Sequence, residues 1–332
     1  MGRLTQEQID LFTDEGYLIL DDVFAPDDLQ PLRREFEARI DRKLAAMQAE
    51  GCLTESYPDE SFERRLTRIY RDSKENGEAV IAELEGPAGG GHHGIEMFRM
   101  ITHPKLLAVV ESLVGSPEII GSSVYRVRPK VPGIGRGVVP WHQDSGYFMQ
   151  LCDTQMILTV WIPLVDATEH NGCMQILPRA HRQGLVTHHT GGNAGFLVIE
   201  DTELPPTPAQ PVVAAVPLGG AVFMTNLTPH CSTPNYSDGI RWSVDLRYQG
   251  ADVPNNVGLW PAGEEDEAQL EQFQMACYPP EADFMVQSAR HPANVMDYDT
   301  FVKRRAAFEQ VKSIAYPKRG WTPVPLHADE HY

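Results

Sequence analysis

Two histidines and an aspartate are spaced in this chain in a way that suits metal-dependent redox chemistry. His142 and Asp144 form a His-x-Asp pair in PWHQDSGYF, and His230 follows far downstream in TNLTPHCSTPN. Two imidazoles and one carboxylate make the facial triad that holds non-haem Fe(II) while leaving coordination positions open. Because residues two apart on a strand point to the same face, His142 and Asp144 are expected to share a site while Gln143 points away. The third ligand has to come from another strand.

An arginine downstream of His230 could bind an anionic co-substrate. Arg241 opens the run RWSVDLRY, and a guanidinium stays charged and grips a carboxylate in a two-pronged fork. Taken alone, His230 fits a core histidine equally well. Other histidines fit the metal site less well, because the doublets at 92–93 and 188–189 place neighbouring side chains on opposite faces of a strand.

The elements that must position these residues change character along the chain. Helical signals come first, with a capping box from Thr5 to Gln8 and a longer helix opening at Pro26. Short β-branched and aromatic runs follow, separated by Gly and Pro, such as MILTVWIPLV and AVFMTN. Runs of this kind predict a sandwich or barrel. The last part is acidic and then helical again, from Asp299 to Val311.

These changes in pattern predict one domain over residues 1–332, since no linker separates a second one. We expect a helical N-terminal part at about 1–117, a β core at about 118–250 and a C-terminal extension at about 251–332.

The composition fits a globular enzyme and argues against several kinds of partner. Of the 332 residues, 42% are hydrophobic and 22% charged, and the net charge of -18 argues against nucleic acid. Five cysteines without a CxxC pair indicate reduced thiols in a cytosolic protein. No stretch reaches the roughly 18 apolar residues of a membrane span. We therefore expect a cytoplasmic protein that acts on a small molecule, without nucleic-acid or membrane partners, and the sequence assigns no oligomeric state.

A glycine-rich segment resembles a nucleotide-binding motif by spacing alone. Gly89, Gly91 and Gly94 spell GxGxxG, but that motif binds a dinucleotide only where it follows a buried strand and opens a helix. Here it follows GEAVIAELEG, which has a helical pattern. We interpret residues 86–94 as a loop that could cover a site, and the segment after Trp260 as a second candidate cover.

Four segments together resemble the phytanoyl-CoA dioxygenase family of Fe(II)- and 2-oxoglutarate-dependent oxygenases. They are DLFTDEGYLILDDVF, WHQD, TVWIPLVDATEHNGCMQILPRAHR, and PLGGAVFMTNLTPHCSTPN continuing to RWSVDLRY. The resemblance covers most of residues 5–250. It implies a mainly β fold, the double-stranded β-helix or cupin-like jelly roll, flanked by N-terminal and C-terminal α-helices.

The same resemblance implies a role for each site residue. It assigns three ligands to Fe(II): His142, Asp144 and His230. It assigns the distal carboxylate of 2-oxoglutarate to Arg241, helped by Ser232. Trp161 is similar in placement to a family tryptophan that lines the co-substrate pocket, although core packing explains it equally well. Ser243 shares a strand face with Arg241 and is a further candidate.

The implied reaction consumes O2 and 2-oxoglutarate, releases succinate and CO2, and hydroxylates a C–H bond of a small or medium organic metabolite. Related halogenases have a small residue in place of the carboxylate that Asp144 provides here. Desaturation, ring closure and epoxidation use the same iron. Two other classes stay open: a redox-neutral jelly-roll metalloenzyme of the isomerase or lyase type, which would leave Arg241 without a task, and an inactive ligand-binding member.

Basic residues offer one indication of the substrate. Arg126, Arg128 and Lys130 in YRVRPKVPG, with Arg99 in EMFRM, place positive charge near the expected barrel mouth. They indicate an anionic substrate group, while protection of a strand edge against aggregation explains them equally well. Three residues just past the metal-ligand pair are candidate walls of a partly apolar pocket: Tyr147, Phe148 and Met149.

Overall fold

Helices occupy most of the first third of the chain. The computed structural model describes residues 2–85, 92–122, 125–133, 137–192, 195–207, 209–260, 283–309 and 319–324. Within these ranges seven α-helices occur: α1 (Gln6–Glu15), α2 (Pro26–Ala49), α3 (Arg65–Asp72), α4 (Lys74–Glu85), α5 (Ile95–Ile101), α6 (Pro104–Val114) and α7 (Tyr298–Glu309).

The helix starts confirm the signals in the sequence. The Thr5 hydroxyl accepts from the backbone N–H of Gln8, and the Gln8 side chain accepts from the backbone N–H of Thr5, so the predicted capping box is present. Helix α2 begins at Pro26, whose missing N–H is harmless in a first turn. Helix α7 begins beside the predicted Asp299, and its predicted end at Val311 lies outside the described residues.

Thirteen strands occur in the described part of the chain. They are β1 (Tyr17–Leu20), β2 (Ile119–Gly121), β3 (Arg126–Lys130), β4 (Val139–His142), β5 (Leu158–Pro163), β6 (Met174–Ile176), β7 (His189–Thr190), β8 (Val212–Ala214), β9 (Ala221–Thr225), β10 (His230–Ser232), β11 (Arg241–Gly250), β12 (Phe284–Gln287) and β13 (Thr322–Pro323).

The strands form two antiparallel sheets and one small parallel pair. The large sheet has the order β1-β9-β5-β11-β2-β12, with β3 paired to the first half of β11. The small sheet has the order β4-β10-β6-β8, and β13 pairs with β7. Two strands of the large sheet, β1 and β12, come from the parts of the chain that flank the expected β core. The sheet therefore recruits the segments on both sides of residues 118–250.

Strand β11 shows how the large sheet separates a core from a site. Its alternate residues on one face are apolar and belong to the main core, which includes the buried faces of the helices: Trp242, Val244, Leu246 and Tyr248. Its other face is polar: Arg241, Ser243, Asp245 and Arg247. All ten residues are buried, so both faces of the strand are covered. Because side chains alternate along a strand, one ten-residue segment stabilises the core and also lines an interior site.

The two sheets enclose a second, smaller apolar cluster and a cavity. The cluster joins β5 and β9 of the large sheet to β6 and β8 of the small sheet, with Trp161, Met174 and Val222 among its members. Beside it lies a cavity of about 510 Å³ lined by residues of both sheets. Among the described residues, no helix has the length and apolar character needed to cross a bilayer.

Candidate active site

The two histidines of the predicted triad are brought together by strand pairing. Strands β4 and β10 run antiparallel with His142 directly opposite His230, and the ring centroids lie 4.2 Å apart. Asp144 opens a short 3-10 helix, Asp144–Tyr147, so the expectation that it continues the strand of His142 is wrong. The turn still directs its carboxylate to the same place, with Oδ1 3.7 Å from His142 Nε2. One ligand atom from each residue lies within 4.8 Å of the others, and all three residues are buried.

Both histidines have a free nitrogen for a metal. The Nδ1 atoms of His142 and His230 lie 2.9 Å from the carbonyl oxygens of Pro140 and Thr228. Because a carbonyl only accepts, each Nδ1 is the donor in this contact, and Nε2 is the ring nitrogen that a metal could bind. Burial, together with the neighbouring His142, lowers the pKa of His230 to about 4. The ring is therefore neutral near pH 7, as a metal ligand must be.

One oxygen of the Asp144 carboxylate is held by other side chains. Asp144 Oδ2 accepts from Thr159 Oγ1 at 2.5 Å and from Arg247 Nε at 3.1 Å, and Arg247 Nη2 lies 3.0 Å away in the same ion pair. Burial alone would raise the pKa of the Asp144 carboxyl, but the Arg247 guanidinium and the nearby histidines hold it well below its ordinary value. Oδ1 is left facing His142. The sequence did not assign a role to Thr159 or Arg247.

Gln143, which lies between His142 and Asp144 in the sequence, points away from their side chains, as predicted. The Gln143 side-chain amide donates to the carbonyls of Gly184 and Leu227, at 2.8 and 2.7 Å. Its backbone N–H donates to His188 Nε2 at 2.9 Å. His188, which the sequence excluded as a metal ligand, therefore helps fix the His-x-Asp segment in place.

Arg241 is held in place by Trp161 and Ser243, two further residues that were predicted to line the co-substrate pocket. It is 3% exposed, and its guanidinium carbon lies 5.1 Å from the centre of the Trp161 ring. Ser243 Oγ accepts from Arg241 Nη1 and, at 3.1 Å, from Trp161 Nε1. Burial lowers the pKa of Arg241 to about 10, which leaves it cationic at neutral pH. Its buried Nε has no hydrogen-bond partner among the described residues.

A lysine lies beside Arg241 at the buried end of the cavity. Lys130 faces Arg241 across the pairing of β3 with β11 and is only 2% exposed. Its ammonium donates to Ser232 Oγ at 2.8 Å and to the Thr233 carbonyl. Burial and the Arg241 charge lower the pKa of Lys130 to about 6. The expectation that Lys130 lies at the mouth is wrong, because register places it next to the predicted carboxylate-binding arginine.

Ser232 supports this end of the cavity. Its hydroxyl donates to the Gly137 carbonyl at 3.1 Å and accepts from Lys130 and from the backbone N–H of Val139. The hydroxyl hydrogen is thus already donated to the Gly137 carbonyl, and Ser232 also holds the Lys130 side chain in place.

The cavity connects the triad to the cationic end. Its lining includes the triad, Arg241, Lys130, Ser232 and Trp161. Tyr147 and Phe148 also line it, as predicted, whereas Met149 does not. Arg99 pairs with Glu96 on an exposed helix surface and takes no part in the lining.

Two further groups bear on the interpretation of the sequence. Residues 86–91 of the glycine-rich segment lie outside the described residues. The segment is preceded by helix α4, not by a strand, which agrees with the rejection of a dinucleotide site.

A second set of potential metal ligands, His189, Glu200 and Glu203, occurs away from the cavity lining. There His189 Nε2 already pairs with Glu203 at 2.7 Å.

Comparison with known proteins assigns the chain to a family. The profile of the family described as Phytanoyl-CoA dioxygenase (PhyH) matches residues 12–243, so the chain belongs to this family. It is 28% identical over 265 residues to Phytanoyl-CoA dioxygenase domain-containing protein 1 of Danio rerio, covering 73% of this chain and 88% of that protein. It is 27% identical over 256 residues to the peroxisomal phytanoyl-CoA dioxygenase of Homo sapiens, covering 75% and 69%.

A solved structure shows the same fold. The structure described as "non-heme monooxygenase; ThoJ apo" superimposes with a TM-score of 0.54 at 17% sequence identity, and the match covers 91% of this chain and 95% of that one. The shared architecture is mainly β with antiparallel sheets, which confirms the coarse prediction of the fold.

The cofactors of this family are Fe(II), 2-oxoglutarate as co-substrate, and O2. The residues present fit this set. Two imidazoles and one ionised carboxylate are ligands that suit Fe(II). The buried Arg241 Nε is a charged donor that lacks a partner among the described residues, as expected of a site that receives a carboxylate.

Proposed function

We propose that this protein is a 2-oxoglutarate-dependent dioxygenase that hydroxylates a C–H bond of a small or medium organic metabolite and releases succinate and CO2. One observation carries the proposal: the three metal-ligand candidates line the same cavity as the buried basic side chains of Arg241 and Lys130. In this proposal residues 1–332 form one domain, and the two antiparallel sheets form a double-stranded β-helix.

The metal ligands in this proposal are His142, Asp144 and His230. When bound, Fe(II) supplies the activation of O2 that drives oxidation of co-substrate and substrate. The chain's own contribution would be to supply one ligand atom from each of three buried side chains that line the cavity, where substrate and co-substrate would also enter. Thr159 and Arg247 contribute by occupying Asp144 Oδ2, which leaves Oδ1 available.

The distal carboxylate of 2-oxoglutarate is bound by Arg241 and Lys130. Trp161 and Ser243 fix the Arg241 guanidinium from two sides. Ser232 holds the Lys130 ammonium at 2.8 Å. Neither side chain forms an ion pair with a carboxylate of the described residues. An entering carboxylate therefore gains the charged Arg241 guanidinium and, when Lys130 takes up a proton, a second charged partner in a buried site. A redox-neutral metalloenzyme would have no use for this pair.

The test is an anaerobic titration of the purified apoprotein with Fe(II) and then with 2-oxoglutarate. We expect the visible charge-transfer absorption of a keto acid chelated to iron, saturating at one equivalent of 2-oxoglutarate. Iron binding without this absorption would contradict the proposal and favour the redox-neutral alternative.

A second experiment tests the type of oxidation. Candidate metabolites are screened by succinate release, and the product of any active compound is examined by mass spectrometry. Hydroxylation adds one oxygen atom, whereas desaturation or ring closure removes two hydrogen atoms. A product lacking the added oxygen would contradict hydroxylation while leaving the co-substrate chemistry intact.

A further inference from the structure

Arg128 lines the cavity farther from its buried end, and the proposed co-substrate site does not use it. Arg128 lies two residues from Lys130 on β3, so both side chains are on one strand face, about 7 Å apart along the strand. Both line the cavity. The Arg128 side chain is 37% exposed, whereas Lys130 is 2% exposed. Arg128 is therefore placed between the buried co-substrate end and the solvent.

The Arg128 guanidinium is fixed along one edge and open at the other. Its Nε donates to Asp245 Oδ1 at 2.9 Å, and Asp245 is itself held by Arg247 Nη1 at 2.9 Å. The Phe196 ring centre lies 5.7 Å from the guanidinium carbon. In the described ranges of the chain, the two terminal nitrogens of Arg128 make no hydrogen bond to protein. A guanidinium held in this way presents a preorganised pair of donors.

The charge of the cavity also favours an anionic ligand. Its lining contains five Arg or Lys side chains (Arg126, Arg128, Lys130, Arg241 and Arg247) and three acidic ones (Glu85, Asp144 and Asp245). The whole chain has the opposite balance of charge, with 28 basic and 46 acidic residues. Fe(II) and the 2-oxoglutarate dianion carry opposite and equal charges, so their binding together leaves this local excess of positive charge in place.

Protection of a strand edge does not explain the geometry of Arg128. Among the described strands, β3 is paired only with β11, so its other edge is open to such a role. A residue that protects an edge needs only an exposed charge. Such a residue does not need a buried carboxylate to fix its guanidinium beside a cavity. Arg128 has one, because the Asp245 side chain that pairs with it is only 9% exposed.

We propose that Arg128 binds an oxyanion of the primary substrate, which is therefore a small metabolite that carries a carboxylate or phosphate group in addition to the C–H bond that reacts. This inference rests on the proposed function, because it places the co-substrate at Arg241 and Lys130 and leaves Arg128 to the substrate.

The experiment uses anaerobic protein loaded with Fe(II) and one equivalent of 2-oxoglutarate. Inorganic phosphate and propionate are titrated separately by calorimetry at constant ionic strength, while the charge-transfer absorption is followed. We expect saturable binding of at least one anion with the absorption retained, and binding weakened by about tenfold or more in Arg128→Gln. Arg42→Gln, which removes the same charge from an exposed helical position, should bind like the wild type. The anion that binds more tightly identifies the oxyanion class.

Each other outcome overturns the inference. These are no saturable binding of either anion, equal binding by Arg128→Gln, equal weakening by Arg42→Gln, or binding that abolishes the absorption because the anion displaces 2-oxoglutarate. Circular dichroism checks the folding of Arg128→Gln. If that variant does not fold, Arg128→Lys keeps the charge without the fork and should still bind several-fold more weakly than the wild type. Failure of the proposed function is seen separately, since the wild type would then show no absorption before any anion is added.

Discussion

Thr159 allows a direct test of how the Asp144 carboxylate is held for a metal. Replacing it with valine removes the hydroxyl that donates to Asp144 Oδ2 at 2.5 Å and keeps the branched shape of the side chain. Both residues are 2% exposed, so water cannot readily replace the lost donor. A hydrogen bond to a charged group contributes about 1.5–3 kcal/mol. Arg247 still holds the same oxygen, so we expect a loss of stability near the lower end of that range.

The larger effect should be on metal affinity. With Thr159 and Arg247 both on Oδ2, the carboxylate is oriented with Oδ1 available to the metal. Without the hydroxyl, the carboxylate can rotate about its terminal bond and loses this orientation. Loss of such an outer partner typically weakens metal binding about 10- to 100-fold, or about 1.4–2.7 kcal/mol. Thr159→Ser keeps the donor and is the matched control.

The assay is anaerobic titration of apoprotein with Fe(II) against a competing chelator, repeated with Co(II) as an oxygen-stable ion. Urea unfolding of the metal-free variants measures damage to the core separately. We expect Thr159→Val to bind both ions more weakly while Thr159→Ser stays close to wild type. The reasoning is refuted if Thr159→Val binds metal as tightly as wild type, or if Thr159→Ser is weakened as much as Thr159→Val.

Further substitutions test the remaining parts of the site. His142→Ala should abolish iron-dependent turnover without unfolding the protein, and turnover at the wild-type rate with normal circular dichroism would remove it from the triad. Asp144→Ala should also abolish turnover. Because it removes one of the two carboxylates that pair with the buried Arg247, urea unfolding should show a loss near the lower end of the roughly 3–5 kcal/mol that an uncompensated buried charge costs. Unchanged stability would mean that the ion pair is unimportant. Arg241→Ala should weaken 2-oxoglutarate binding by about 2–5 kcal/mol in calorimetry, and an unchanged affinity would place the carboxylate elsewhere. Lys130, with a pKa of about 6, is mostly neutral at pH 7, and a bound carboxylate raises that pKa, so 2-oxoglutarate binding takes up a proton and weakens as pH rises above 6. Calorimetry in buffers of different ionisation enthalpy measures this uptake, which Lys130→Met should remove.

The clustering of His142, Asp144 and His230 could be predicted from sequence because these residues carry a local signal. His142 and Asp144 are two residues apart between aromatic and glycine signals, and the partner histidine follows a recognisable strand. The predicted reason was only half right, since Asp144 leaves the strand for a 3-10 turn. Strand alternation puts Thr159 on the same face of β5 as Trp161, but it does not show which atom Thr159 meets on that face.

The residues that the sequence missed depend on register between strands. Arg247 pairs directly with Thr159 across β11 and β5, and this pairing brings both donors to Asp144. Lys130 faces Arg241 across β3 and β11, which turns an expected mouth residue into a buried one. A shift of one residue in the pairing would turn every side chain of the strand to the other face of the sheet. The sequence of one strand does not specify how it pairs with its neighbour.

Strand β1 was missed for a different reason. Tyr17–Leu20 is a four-residue apolar run between two strong helix signals, and short apolar runs do not distinguish a strand from a buried helix segment. Only its pairing with β9 defines it.

The register of β11 also explains why this cavity needs ligands to balance its charge. Arg128, Asp245, Arg247 and Asp144 form a chain of alternating charges that is neutral as a whole. Arg241, at the other end of the same strand face, and the adjacent Lys130 lie outside this chain. In the proposed site, Fe(II) at Asp144 would add two positive charges, and the two carboxylates of 2-oxoglutarate would offset them. The positive charge of Arg241 is then not balanced by the protein, even if Lys130 is neutral. Arg128 is only partly balanced, because it shares the Asp245 carboxylate with Arg247. An anionic substrate group at Arg128 would reduce this excess, whereas a neutral substrate would leave it unchanged, so the charge of the occupied site favours an acid over its uncharged analogue.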